Sequence, residues 1–187
     1  ISLTTWSILS ALIILGVVLY IMTHNRQKWT TRMMANASLC IALAFILSYV
    51  KLYEMPQGGS VTLASMAPIF MFAYAYGVAP GLMIGFAYGL LQFVQGGWFV
   101  HPIQFLLDYP LAFAMLGFAG VARRLPDRWG MIPGILLGVV LRFLCAFLTG
   151  VFFWGDGAGE QNVLVYSAVY NGTYLIPETA ICLAVAL

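Results

Sequence analysis

The chain has 187 residues, of which 63% are hydrophobic and 7% are charged, and its formal net charge is +2. A water-soluble domain has about 25% charged residues, so this composition excludes a soluble globular domain, a disordered segment and a nucleic-acid-binding protein. No charged side chain occurs between Glu54 and Asp108. An uncharged stretch of this length is found only in segments that lie in a lipid bilayer or pack against other segments inside it. The three cysteines have neither zinc-site spacing nor a disulfide pattern, so no metal is expected. The sequence predicts an all-α integral membrane protein.

Seven apolar segments follow one another along the chain, and a span needs roughly 20 apolar residues. The first has no basic segment before it and positive charges after it, which predicts a membrane anchor and not a cleaved signal peptide. Pro56, Gly58 and Gly59 predict a turn-rich loop between the second and third spans. The predicted spans cover residues 3–22, 33–50, 61–76, 81–94, 103–122, 131–154 and 163 onward.

Positive charges are distributed unevenly between the two sides of this seven-span arrangement. Six basic residues fall on one side and only Lys51 falls on the other. The positive-inside rule therefore places the basic loops in the cytoplasm, and the amino terminus and the loops at 51–60, 96–101 and 155–161 outside. The six basic residues are Arg26, Lys28, Arg32, Arg123, Arg124 and Arg128.

Gly81, Gly85 and Gly89 are spaced four residues apart on the fourth span. A stripe of this kind lets another helix backbone approach closely. We interpret it as close packing within one molecule in preference to a homodimer interface.

Three charged residues, Asp108, Arg142 and Glu178, fall inside predicted spans, where charges are costly and are candidates for function. With a rise of 1.5 Å per residue they lie roughly 8, 18 and 22 Å below the outer surface, respectively. Arg142 and Glu178 have similar depths on neighbouring spans, and the sequence predicts that they form a structural ion pair. Asp108 then has no matched cation and lies where a solute from outside can reach it.

Polar and aromatic residues surround Asp108 in the outer third of the predicted bilayer. Gln104 precedes it by one helical turn on the same face, and Pro110 frees a backbone carbonyl. A carboxylate among aromatic rings suits an organic cation, although an interfacial aromatic belt explains each ring separately, and His101 alone is more simply a solvated loop residue. The other residues of this predicted cation-binding site are Trp98, Phe99, Tyr109, Trp154, Tyr166, Tyr170, Asn171 and Tyr174.

Several motifs resemble one family of membrane proteins over residues 30 to the end. They are similar to the thiamine-specific substrate-binding subunits, or S-components, of energy-coupling factor (ECF) transporters, the ThiT/YuaJ family. The resemblance implies a six-helix core at 29–187 that opens outward beneath the loop between its first two helices. Residues 1–28 would then form an extra transmembrane helix and a basic cytoplasmic loop. The motifs are Met55–Met66, Tyr88–Gln92, Gln104–Phe113, Leu116–Gly120, Arg142–Cys145, Gly150, Trp154 and Tyr166–Asn171.

The resemblance also implies thiamine or its phosphates as the ligand, with no cofactor. Asp108 matches an acidic residue that meets the ligand, and Trp154 matches a tryptophan that stacks on it. Ser60 and the glycines before it match a lid loop. Two positions depart from the family pattern, because Ala146 replaces a histidine and Gly59 replaces a lid aromatic; His101 is a possible substitute ring. The remaining implied binding residues are Tyr109, Trp98, Tyr166 and Asn171, and Gln104 is added from its position beside Asp108.

Energy for transport would come from other subunits, since the chain contains no P-loop, H-E-x-x-H or G-x-S-x-G motif. The family implies a membrane coupling subunit and two ATPases, which alone use ATP, in the plasma membrane of a prokaryote. The matching docking stripe is Ala35, Ser38 and Ala42.

Two other transport functions are left open by the sequence. One is a proton-coupled vitamin carrier that works alone, with Asp108 or Glu178 as the proton shuttle. The other is an S-component for a different vitamin. An intramembrane enzyme would need paired acids or a nucleophile with a base at matching depth; the sequence offers neither, so no enzymatic activity is expected.

Overall fold

The computed structural model describes residues 3–24, 27–56, 58–125 and 128–186. This described part contains seven helical segments and one two-stranded antiparallel hairpin, which confirms the predicted all-α membrane fold. By length and composition, α1, α2, α5 and α6 can each cross a bilayer, whereas α3 and α4 are shorter apolar helices. The elements are α1 Leu3–His24, α2 Thr31–Ser48, β1 Lys51–Glu54, β2 Ser60–Thr62, α3 Ala67–Tyr76, α4 Val78–Val94, α5 Pro102–Arg124, α6 Met131–Phe153 and α7 Val163–Ala186.

The predicted third span is too long at its beginning. Residues 60–62 form β2, which pairs with β1, and α3 begins only at Ala67 with Pro68 in its first turn, a position that proline favours. Gly58 has φ +100° at the tip of the hairpin, a conformation that glycine adopts without steric cost. The segment predicted as a loop is therefore a β-hairpin followed by a short turn.

The fifth helical segment changes its winding where it carries Asp108. It is α-helical over Pro102–Leu106, π-helical over Leu107–Leu111 and 3₁₀-helical over Met115–Arg124. Pro110 lies in the π-helical part and has no N–H to donate to the preceding turn, so the helix accommodates it with a wider turn.

The glycine stripe on α4 packs within the molecule, as predicted. A methyl group added at Gly89 would lie 2.5 Å from the Tyr109 carbonyl oxygen, and one added at Gly81 would lie 2.6 Å from Ala73 Cβ. Gly85 is in close contact with the backbone of α5 at residues 113 and 114. The stripe thus packs α4 closely against α3 and α5, and Gly89 is the member that meets the π-helical part of α5.

The basic connections lie at one end of the bundle. Asn36 of α2 donates to the Tyr76 hydroxyl at 2.6 Å, and Arg123 of α5 donates to the Tyr76 carbonyl oxygen at 3.3 Å. These bonds join the beginning of α2 to the ends of α3 and α5, next to Lys28, Arg32 and Arg124. Arg26, which belongs to the same predicted basic group, lies outside the described residues.

Helix α1 packs on α4, α5 and α6, on the outer side of the wall that contains Asp108. Ala11 and Val18 are buried in one apolar cluster with Leu107, Leu111 and Cys145. The division of the chain into an extra helix at 1–28 and a core at 29–187 stays a prediction.

Candidate binding site

A cavity of about 130 Å³ opens at the end of the bundle opposite the basic connections. One water needs roughly 10–15 Å³, so the cavity has room for a small organic molecule. Four helices form its walls and the tip of the hairpin covers it. The lining residues are Gly58, Gly59 and Ser60 of the hairpin, Gln92 of α4, Asp108, Tyr109, Ala112 and Phe113 of α5, Arg142, Ala146, Gly150 and Trp154 on or just after α6, and Tyr166, Ser167, Tyr170, Asn171 and Tyr174 of α7.

Asp108 is half-buried at the cavity wall, and a neutral amide holds it. Gln104 Nε2 donates to Asp108 Oδ2 at 2.8 Å and is directed at the Trp98 carbonyl oxygen at 3.3 Å. The Tyr109 hydroxyl accepts a hydrogen bond of 2.8 Å from the Trp98 N–H. In the described part of the chain the only salt bridge joins Lys51 and Glu54, so the carboxylate of Asp108 has no protein cation in direct contact there.

Helix α7 presents one polar stripe, Ser167, Asn171, Tyr174 and Glu178, whose spacing of four, three and four residues places them on one helical face. Asn171 Nδ2 donates to the carbonyl oxygens of Ser167 at 2.9 Å and Ala146 at 3.3 Å, and its Oδ1 accepts from the Tyr174 hydroxyl at 2.9 Å. These bonds fix the amide in one orientation. One lone pair of Oδ1 is then available to a ligand donor.

Trp154 follows the last turn of α6, where its N–H donates to the Gly150 carbonyl oxygen at 3.2 Å. The absence of a side chain at Gly150 lets α7 approach, and the Ser167 hydroxyl donates to the Phe147 carbonyl oxygen at 2.9 Å. This close helix contact places Trp154 and Tyr166 at the same end of the cavity.

The structure does not form the predicted ion pair between Arg142 and Glu178. The guanidinium carbon of Arg142 lies 3.9 Å from the centre of the Phe113 ring, a cation–π contact. Glu178 instead accepts hydrogen bonds from Thr62 and Ser65. Arg142 also lines the cavity, which corrects the expectation that it lies away from the site. Equal depth was a poor guide because it does not specify the direction in which each side chain points around its helix.

Comparison with known proteins identifies the family. A family model described as thiamine transporter protein (Thia_YuaJ) matches residues 34–187. The chain is 35% identical over 173 residues to the thiamine transporter ThiT of Bacillus subtilis (strain 168), covering 84% of this chain and 89% of the relative. The chain belongs to the thiamine transporter family. The resemblance inferred from its motifs is therefore confirmed.

Other relatives agree with this assignment in sequence and fold. The thiamine transporter ThiT of Lacticaseibacillus paracasei is 29% identical over 170 residues, covering 80% of this chain and 82% of the relative. Among solved structures, ThiT from Listeria monocytogenes matches with a TM-score of 0.70 at 23% identity, and the match covers 82% of this chain and 90% of the ThiT chain. The S-component of a bacterial ECF transporter matches with a TM-score of 0.58 at 17% identity, and this match covers 82% of this chain and 92% of the S-component chain. The curated relatives are named as transporters and not as enzymes.

Five of the eight residues predicted to bind the ligand line the cavity, and three do not. Gln104 is 1% exposed behind Asp108, and Trp98 is 57% exposed in the loop before α5. His101 caps the beginning of α5, with Nδ1 accepting from the Ile103 N–H at 3.2 Å, and its ring stacks on Phe153. None of these three residues lines the cavity. The five lining residues are Asp108, Tyr109, Trp154, Tyr166 and Asn171.

The structure shows where the two residues that depart from the family pattern, Ala146 and Gly59, lie. Ala146 lines the cavity, and its carbonyl oxygen accepts a bond from Asn171. Gly59 lies against the Tyr174 ring, with no room for a side chain unless that ring moves. Gln92 also lines the cavity and was not predicted as a site residue, although it lies within the motif Tyr88–Gln92. It follows Tyr88 by four residues and donates to the Tyr88 hydroxyl at 2.5 Å; this spacing, which places the two polar side chains on one helical face, could have indicated it.

Ala35, Ser38 and Ala42 are exposed along α2, next to exposed Leu39 and Leu43. The Ser38 hydroxyl donates to the Met34 carbonyl oxygen at 3.1 Å within its own helix, which satisfies this polar group at an apolar surface. The assignment of this stripe as a docking surface stays a prediction.

Proposed function

We propose that this chain captures thiamine from the outer side of the plasma membrane of a prokaryote, as the substrate-specificity subunit of an ECF transporter. The observation that carries the proposal is the carboxylate of Asp108 at the wall of a covered cavity, held by Gln104 and without a cationic partner in direct contact among the described residues. Family membership supports it independently.

The chemistry of thiamine matches the residues that line the cavity. Its thiazolium ring is permanently positive, so it suits a carboxylate and the aromatic faces of Trp154, Tyr166 and Tyr170. Its aminopyrimidine carries an amino group that the remaining lone pair of Asn171 Oδ1 can accept. Each matched polar group avoids the cost of burying an unpaired donor or acceptor. No covalent step, cofactor or metal is required.

Transport energy is assigned to partner subunits, a membrane coupling protein with two ATPases. The exposed small residues of α2 allow a partner helix to approach closely. Helix α1 packs on the side formed by α4, α5 and α6 and leaves Ala35, Ser38 and Ala42 exposed.

The proposed ligand is tested by titrating detergent-purified protein with thiamine and following the fluorescence of its five tryptophans. Saturable quenching by thiamine, much weaker with the uncharged aminopyrimidine half alone, supports the proposal. Equal responses to both compounds, or no response to thiamine, contradict it.

The energy source is tested by uptake of labelled thiamine in cells that contain or lack an ECF coupling module. Uptake only in cells that contain the module supports the proposal. Uptake driven by a pH gradient in cells without the module favours the proton-coupled carrier instead.

A further inference from the structure

The hairpin that covers the cavity is attached to α7 through its second strand. β1 is exposed along its whole length, whereas Val61 and Thr62 of β2 are 6% and 5% exposed. Val61 packs in a small apolar cluster with Tyr174 and Leu175. The covering residues at the hairpin tip are thus continuous with a strand that is anchored on α7.

Thr62, at the inner end of this strand, is bonded to the carboxylate of Glu178. Its backbone N–H donates to Glu178 Oε2, and its Oγ1 lies 2.6 Å from Glu178 Oε1. Ser65 Oγ lies 3.4 Å from the same carboxylate oxygen. Glu178 is 3% exposed, and a buried carboxylate is strongly destabilising unless it accepts hydrogen bonds. The carboxylate and the turn therefore hold each other in position.

The turn after Thr62 has a conformation that depends on its surroundings. Ala64 has φ +57°, which a residue with a Cβ adopts at a steric cost, and such residues persist where neighbours fix them. Ser65 N–H donates to Thr62 Oγ1 at 3.2 Å, so the hydroxyl that contacts Glu178 also closes the turn. This turn joins the hairpin to α3.

We propose that Glu178 is a positioning residue for ligand capture, which holds Thr62 and Ser65 and so fixes the inner end of the hairpin to α7. The same helix carries Tyr166, Asn171 and Tyr174 at the cavity. Weakening the anchor frees Gly58–Ser60 to lift from the cavity, so it accelerates ligand release. Association changes less, because the site must already open for entry. This inference rests on the proposed function for its ligand.

The test uses Thr62→Val, which keeps the shape and the backbone donor but removes the hydroxyl, and Thr62→Ser, which restores the hydroxyl. Thr179→Val is the matched control, because Thr179 is a buried threonine of α7 whose hydroxyl donates to the Leu175 carbonyl oxygen of its own helix at 2.6 Å. Thiamine association and dissociation are followed by stopped-flow tryptophan fluorescence. Hydrogen–deuterium exchange of residues 51–62 is measured without ligand.

Thr62→Val should raise the dissociation rate about tenfold, the scale expected for loss of a hydrogen bond to a charged group, and should speed exchange in 51–62. Thr62→Ser and Thr179→Val should resemble the wild type in both readouts. Should Thr62→Val fail to fold, Ser65→Ala takes its place with a smaller expected effect in the same direction.

Unchanged dissociation and exchange in Thr62→Val, or equal effects from Thr179→Val, overturn the inference. If thiamine does not change the fluorescence of the wild type, the proposed function fails. The exchange measurement still decides the anchor in that case: faster exchange in Thr62→Val but not in Thr179→Val supports it, and equal exchange overturns it.

Discussion

Gln104 Nε2 donates a hydrogen bond of 2.8 Å to Asp108 Oδ2, one helical turn further along α5. The same side chain accepts from the Val100 N–H at 3.1 Å through Oε1. Gln104 is 1% exposed, so its amide has no competing water. One buried amide therefore fixes both the direction of the carboxylate and the loop that enters α5.

Gln104→Leu should weaken thiamine binding by about 0.5–1.5 kcal/mol, the usual net contribution of one hydrogen bond. The leucine fills a similar volume but removes the amide that donates to the Asp108 carboxylate. Isothermal titration with thiamine measures the loss. Gln161→Leu, in the exposed outer loop, is the control and should bind as the wild type does; an unchanged affinity in Gln104→Leu would show that Asp108 does not need this support.

Gly89→Ala should lower the melting temperature, because the added methyl group would lie 2.5 Å from the Tyr109 carbonyl oxygen and 2.8 Å from Pro110 Cα. Backbone atoms cannot move aside as a flexible side chain can, and overpacking costs about 1–3 kcal/mol. Thermal unfolding in detergent measures the change. Gly16→Ala is the matched control, since nothing lies within 4 Å of the added methyl and alanine favours a helix. Equal melting temperatures for both variants would refute the packing argument.

The sequence predicted the helices well and the direction of side chains poorly. Long apolar runs and glycine breakers located all seven helical segments, because the bilayer constrains both length and polarity. The hairpin at 51–62 was missed, since its two strands are short and no alternating pattern distinguishes them from a loop. Arg142 and Glu178 were paired from depth alone, whereas Phe113 and Thr62, their actual contacts, lie on other elements and depend on tertiary packing.

Ala42→Phe should abolish ECF-driven uptake and leave thiamine binding to the purified protein unchanged. Ala42 is exposed on α2, away from the cavity, and a large ring there prevents the close approach that small residues permit. Uptake by whole cells and binding of labelled thiamine are compared. Val140→Phe, at a 53% exposed position of α6, should retain uptake. Full uptake by Ala42→Phe would rule out this stripe as the docking surface.

Trp154→Ala should weaken thiamine binding by about 1–3 kcal/mol, from the loss of stacking and of cation–π attraction. The fold should persist, because Trp154 lies at the end of α6 and faces the cavity. Equilibrium binding of labelled thiamine avoids dependence on tryptophan fluorescence. Trp98→Ala is the comparison, because the Trp98 side chain is exposed and lies outside the cavity. A larger loss of thiamine affinity in Trp98→Ala than in Trp154→Ala would contradict the assignment of Trp154 as the stacking ring.

Asp108→Asn keeps the shape of the side chain, removes its negative charge and replaces one acceptor oxygen with an NH2 donor. Loss of a charge-assisted contact to a cation should weaken thiamine binding by about 1.5–3 kcal/mol, or roughly one to two decades in affinity. The amide of Gln104 can still donate to the side-chain oxygen of the introduced asparagine, so insertion into the membrane and thermal stability should change little. Titration calorimetry with thiamine gives the size of the effect.

The uncharged aminopyrimidine half of thiamine separates charge from shape in the same variant. If Asp108 attracts the thiazolium, the substitution lowers affinity for thiamine strongly and for the half-molecule hardly at all. If Asp108 instead accepts hydrogen bonds from the pyrimidine, both compounds lose affinity by a similar factor. Wild-type affinity for thiamine in Asp108→Asn would make Asp108 a structural residue, held by Gln104 to stabilise the π-helical part of α5 and not to bind the ligand.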